Sequence, residues 1–116
     1  MQEKVTIGNK VFSVEVANSF FSRLMGLMFK KSYDPDKALF ITPCNSIHMF
    51  FMRFPITAVF VNSDGVITDF KKDLKEWRIF FSLFKKSEAV YEISYFGNED
   101  ILPVVGESVF SSNKIC

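Results

Sequence analysis

The stretch "CNSIHMFFMRFPI", residues 44–56, sets the chain's one histidine, one of its two cysteines and an arginine among apolar side chains. A thiolate and an imidazole cooperate as nucleophile and base when sulfur and nitrogen approach within roughly 3 to 4 Å. Cys44 and His48 are four residues apart. On a helix they would be surface neighbours about 6 Å apart, whereas on a strand they would share a face at roughly 13 Å. The surrounding aromatic and branched residues predict a strand, which argues against a dyad within one straight segment. Pro43 and Asn45 supply a means of bending Cys44 back toward the imidazole. Cys44 and His48 are therefore weak catalytic candidates, and the bland alternative is a small buried thiol and a core histidine.

His48 shares its predicted strand face with Ser46, Phe50 and Met52. Arg23 and Arg53 could each clasp a carboxylate or phosphate, or else form structural ion pairs. Met25, Met28, Met49 and Met52 suit either a soft, adaptable binding wall or ordinary core filling. Trp77 and Arg78 fit a stacked lid over a pocket or an anchored loop. One histidine and two cysteines supply no recognisable zinc ligand pair, and no phosphate-binding glycine loop or serine elbow is present. No metal or cofactor is expected.

The elements that must position these residues follow from periodicity and turn chemistry. Val5–Ile7 and Val11–Val16 flank Gly8-Asn9, and Phe12, Val14 and Val16 alternate with Ser13 and Glu15, predicting a hairpin. Asn18 and Ser19 precede Phe20, Phe21, Leu24, Met25, Leu27 and Met28, whose spacing predicts a three-turn helix. Ala38–Thr42 and Ile47–Met52 read as strands ended by Pro43 and Pro55. Thr57–Asn62 and Val66–Phe70 flank "SDG", where Asp64 and Gly65 are turn residues. Residues 71–87 remain ambiguous between helix and covering loop. Ala89–Ser94, a proline-broken Ile101–Val105 and "GESVF" complete the series. About eight short strands and one helix in the N-terminal half predict a mainly β fold, a compact antiparallel barrel-like or jelly-roll-like sandwich.

At 116 residues, with 48% hydrophobic content and 15 phenylalanines, the chain suits one domain over residues 1–116 with a dense core. A formal net charge of +1 disfavours generic nucleic-acid binding. The apolar runs are far short of the roughly 20 residues that span a bilayer. Glu3 and Lys4 interrupt any signal-peptide core, and two cysteines suit free thiols, so the expected location is cytoplasmic unless a leader has been removed.

The chain resembles a widespread prokaryotic family known as domain of unknown function 192. The resemblance rests on "VEVANSFFSRLMGLMFKK", on "ALFITPCNSIHMFFMRFPI" and on "VFVNSDGVI", and runs more loosely through Trp77-Arg78, "YEI" and Gly106-Glu107, about residues 10–110. It implies a compact, mostly β domain with a helix between early strands and no established reaction. The matching positions are Arg23, Gly26, Leu27, Met28, His48, Met52, Pro55, Ile56, Asp64 and Gly65. Thr57 stands where the family usually places an aspartate. Glu92 corresponds to a glutamate that the family tends to place on a later strand.

The leading expectation is a binding module in which Arg23, Ser46, His48, Met52 and Arg78 surround a concave apolar patch for a small anionic ligand or peptide. The rivals are an accessory protein docking through exposed Phe and Trp, and a thiol enzyme or redox sensor using Cys44 and His48.

Overall fold

The computed structural model describes residues 3–17, 19, 22, 25–44, 46–49, 51–77, 79–81 and 87–110, without the side chains at 46–48 and 79–81. The strands are β1 (Lys4–Ile7), β2 (Lys10–Ala17), β3 (Lys37–Ile41), β4 (Ser46–His48), β5 (Ile56–Val61), β6 (Ile67–Leu74), β7 (Ile79–Phe81) and β8 (Ala89–Ser94). Six of them form one curled sheet in the order β1-β2-β3-β8-β5-β6, and β4 pairs with β7 in a small second sheet. The fold is mainly β, as the alternation in the sequence predicts. One pairing departs from an all-antiparallel arrangement, since β2 and β3 run parallel with Val14 opposite Ala38.

Both faces of the central strands are covered, because every residue of β5 and β8 is buried. One face carries Ala17, Leu39, Ile41, Ile56, Ala58, Phe60 and Val90, covered by Leu27, Tyr33, Met49, Met52 and Phe54. The opposite face carries Phe12, Val14, Ala38, Val59, Val61, Tyr91 and Ile93, covered by Ile101 and Val109. Strands buried on both faces contribute more apolar area than half-solvated ones, at about 25 cal/mol per Å² removed from water.

Within residues 106–110, expected as a strand, residues 107–109 instead lace the two open edges of the sheet together. The Thr6 N–H of β1 donates to the Val109 carbonyl at 2.8 Å, and the Val109 N–H donates to the Gly65 carbonyl at 3.0 Å. Ile67 of β6 donates to the Glu107 carbonyl at 2.8 Å, and Val66 and Ser108 form a single β-bridge. Alternating between two edges satisfies the groups that an edge strand otherwise leaves unpaired.

Of the predicted helix, the described residues Ser22 and Met25 are helical, and the chain leaves the helix at Gly26. The Gly26 N–H bonds to the Ser22 carbonyl at 3.0 Å, and Ser19 and Ser22 exchange hydrogen bonds as a capping pair. Tight turns follow through Met28 and Lys30, while residues 18, 20, 21, 23 and 24 lie outside the described set. The strand expected over 47–52 ends at His48, because Met52 N–H turns back to the Met49 carbonyl and Phe51 adopts a φ of 62°.

Candidate functional site

The turn over residues 25–30 stands over the β2–β3 part of the sheet and leaves a cleft of about 540 Å³. Its walls are mostly apolar: Val16, Ala17 and Leu39 from the sheet, and Met25, Leu27, Met28 and Phe29 from the turn. Its polar groups are Glu15, Ser22 and Lys30. Gly26 lets the turn lie close to the sheet at a φ of +46°, and a Cβ there would sit 3.5 Å from the Glu92 Oε1 atom.

Glu92 lies behind this wall. In β8 it is opposite Leu39 on one side and Ala58 on the other, on the same sheet face as Glu15, which pairs with Leu39 from β2. The row across the sheet is therefore Glu15, Leu39, Glu92, Ala58, and the two carboxyl-bearing residues are two strands apart, about 10 Å. Glu92 is 5% exposed and has no hydrogen bond or ion pair among the described residues. Burial alone raises its carboxyl from the ordinary 4.5 to about 7. Glu92 is thus poised between neutral and charged near physiological pH.

Tyr33 closes the arrangement from the covering segment. Its hydroxyl donates to Glu15 Oε1 at 2.6 Å, while Lys37 holds the other Glu15 oxygen at 3.6 Å. Burial, then the Glu15 carboxylate, push the tyrosine hydroxyl above its usual range, so it remains a proton donor. Tyr33 lines a second cleft of about 520 Å³, together with Lys31, Asp34, Arg53, Ser94 and Phe96.

The expected site residues divide as follows. Arg23, Arg78 and the side chains of Ser46 and His48 lie outside the described residues; the backbone of Ser46–His48 forms β4, opposite Phe81, Phe80 and Ile79. Met52 is 6% exposed and belongs to the core cluster together with Met49. Cys44 is half-buried against that cluster, with its N–H on the Glu88 carbonyl at 2.8 Å. Thr57 is fully buried, and its Oγ1 has no hydrogen-bond partner among the described residues. By strand alternation Thr57 faces the cluster containing Val59 and Ile93, opposite to Glu92, so position 57 and Glu92 lie on different sheet faces.

Glu15 and Tyr33 were missed by sequence reasoning, and Glu92 entered only through the resemblance. Glu15 looks solvent-facing in "FSVEV", and nothing local says that a tyrosine 18 residues later will cover it.

The model of DUF192, described as "Uncharacterized ACR", matches residues 3–95. The chain belongs to this family. A UPF0127 protein of Pyrococcus horikoshii is 44% identical over 73 aligned positions, covering 58% of this chain and 60% of that protein. The UPF0127 protein of Pyrococcus furiosus is 36% identical over 83 positions, covering 66% of this chain and 68% of that protein. The match thus spans under two thirds of the P. horikoshii protein's length. A crystal structure of a protein of unknown function from Novosphingobium aromaticivorans superposes with a TM-score of 0.79 at 18% identity, covering 92% of this chain and 83% of that one. That likeness supports the fold. The DUF192 match stops before residues 101–109, so the edge-lacing segment lies beyond it.

Proposed function

We propose that the chain is a binding module for a small amphiphilic ligand, seated in the cleft between the 25–30 turn and strands β2 and β3. The observation that carries this reading is Glu92, a carboxyl without a described partner buried immediately behind the cleft's glycine wall. A buried carboxyl without partners destabilises a fold, and such groups concentrate at sites where a ligand or proton completes them. The methionine and leucine lining suits an apolar body, since thioethers adapt to varied shapes. Glu15 in the lining, and Glu92 behind it, favour a ligand head that donates hydrogen bonds or carries positive charge.

The anionic ligand suggested by Arg23 and His48 is the second reading. Its described support is Lys31 and Arg53, which line the second cleft. Hexylammonium and hexanoate, which share an apolar chain and differ in head group, separate the two. The leading reading expects hexylammonium to raise the melting temperature in a dose-dependent way, with Glu15→Gln abolishing the shift. A shift with hexanoate alone, lost in Arg53→Gln, would move the site to the second cleft. A flat response to both probes would refute the leading reading. Thiol chemistry at Cys44 expects an alkylation rate that falls on His48→Ala; the half-buried, core-packed Cys44 favours no change.

A further inference from the structure

Three aromatic side chains, brought together from separate turns, form one exposed ladder. Phe29 stacks on Phe51 with centroids 5.3 Å apart, and Phe51 meets Trp77 edge-on at 5.1 Å. They are 56%, 50% and 60% exposed, so the contacts among them bury only part of each ring. All three have left-handed backbone, with φ of 68°, 62° and 66°. Bulky residues rarely adopt that conformation, and strain of this kind clusters at functional surfaces. The turns are tied together by their backbones: Phe29 N–H donates to the Phe51 carbonyl at 3.1 Å, and Trp77 N–H to the Met49 carbonyl at 2.8 Å. These two hydrogen bonds keep the turns, and the rings they carry, side by side.

We propose that this ladder is a docking surface for an anionic lipid bilayer, with the three rings entering the interfacial layer. The charge around it decides the occupant. Within two positions of the three aromatics the described exposed charges are Lys30, Lys31, Arg53 and Lys75, against Glu76; Lys75 is ion-paired with Asp73 at 2.7 Å, so Lys30, Lys31 and Arg53 carry the positive charge of this surface. Lysine is depleted from protein interfaces, whereas basic residues beside an apolar surface bind anionic headgroups. Aromatic rings with basic flanks suit the region between acyl chains and headgroups. Docking here requires no membrane-spanning helix, and none is long and apolar enough among the described residues.

Trp77 is the chain's one tryptophan, so its fluorescence reports the ladder directly. The experiment titrates the protein with vesicles of 30% phosphatidylserine in phosphatidylcholine and with phosphatidylcholine alone, at low and high salt, reading Trp77 emission and co-sedimentation. The expected result is a blue shift and sedimentation with the anionic vesicles only, both weakened by salt. Replacing an exposed lysine near the surface weakens such binding about 5-fold, so Lys30→Gln with Lys31→Gln is expected to weaken it roughly 25-fold. Phe29→Ser with Phe51→Ser is expected to abolish the blue shift, circular dichroism serving as the fold control. Absence of binding to the anionic vesicles, or equal binding to both lipids untouched by the lysine changes, overturns the proposal. A blue shift that grows with protein concentration without lipid, and no lipid dependence, overturns it in favour of a second copy of the chain.

Discussion

Substituting Glu92 by glutamine removes one titrating carboxyl from the sheet interior while nearly preserving its shape. Because burial raises the folded-state value to about 7 from an ordinary 4.5, the folded chain holds the Glu92 proton more tightly than the unfolded chain does. The linked contribution to stability is complete at pH below 4.5 and disappears as pH rises through about 7. The size of the loss follows from the separation of the two values: about 3 kcal/mol, accumulated between about pH 4 and pH 8. The described charged and titratable neighbours on that face, Glu15 and Tyr33, do not offset it, since Tyr33 keeps its proton across this range and Glu15 is already bonded by it. The assay is urea denaturation of wild type and Glu92→Gln at half-unit steps from pH 4 to 8. The stability difference, variant minus wild type, should grow by about 3 kcal/mol across that range, whatever constant offset the new amide introduces. Parallel curves would show that Glu92 ionises normally in the fold and would remove the support that the proposed site draws from it.

Gly65→Ala should lower stability by more than 2 kcal/mol by chemical denaturation, because φ is +77° and the added methyl would be driven into the Phe110 ring. Asn98→Ala should cost roughly 2 to 4 kcal/mol: its amide donates to Pro35 at 3.0 Å and Ser94 at 2.9 Å and accepts from Lys10 at 2.8 Å, tying three segments at a buried position. Val109→Ala should cost about 2 kcal/mol, and native-state hydrogen exchange should then accelerate at Thr6 and Ile67, the edge amides that residues 107–109 satisfy. Unchanged exchange at those two amides would refute the edge-lacing account.

The hairpin of β1 and β2 was legible because Gly8-Asn9 supplies two residues of positive φ between alternating strands, and both adopt it. The β5–β6 hairpin was legible for the same kind of reason at Asp64-Gly65, with Asn62 Oδ1 accepting from the Asp64 and Val66 N–H groups. Alternation misled where both sheet faces are covered. "AVYEIS" reads as a half-solvated strand, yet Glu92 and Ser94 are as buried as Tyr91 and Ile93, because residues distant in sequence cover them. Val16 illustrates the converse: it keeps the parity of Phe12 and Val14 but is 56% exposed where the covering segment ends. The strand expected over 47–52 was cut short by Phe51, whose left-handed backbone no local pattern announces in an aromatic residue. "GESVF" has strand composition, but it serves two edges in turn instead of pairing along one. The cleft needed this tertiary information, since the carboxyl in its lining comes from β2, the one behind its wall from β8 and the wall itself from a turn between them.

A backbone amide NMR titration with hexylammonium at pH 7.5 tests the proposed site most directly. The account expects saturable shift changes centred on Gly26, Met28, Ala17 and Leu39, with the changes at Glu92 and Ala58 diminished in Glu92→Gln. Shifts confined to other surfaces, or none at concentrations that saturate a weak site, would contradict a ligand cleft between the 25–30 turn and the sheet.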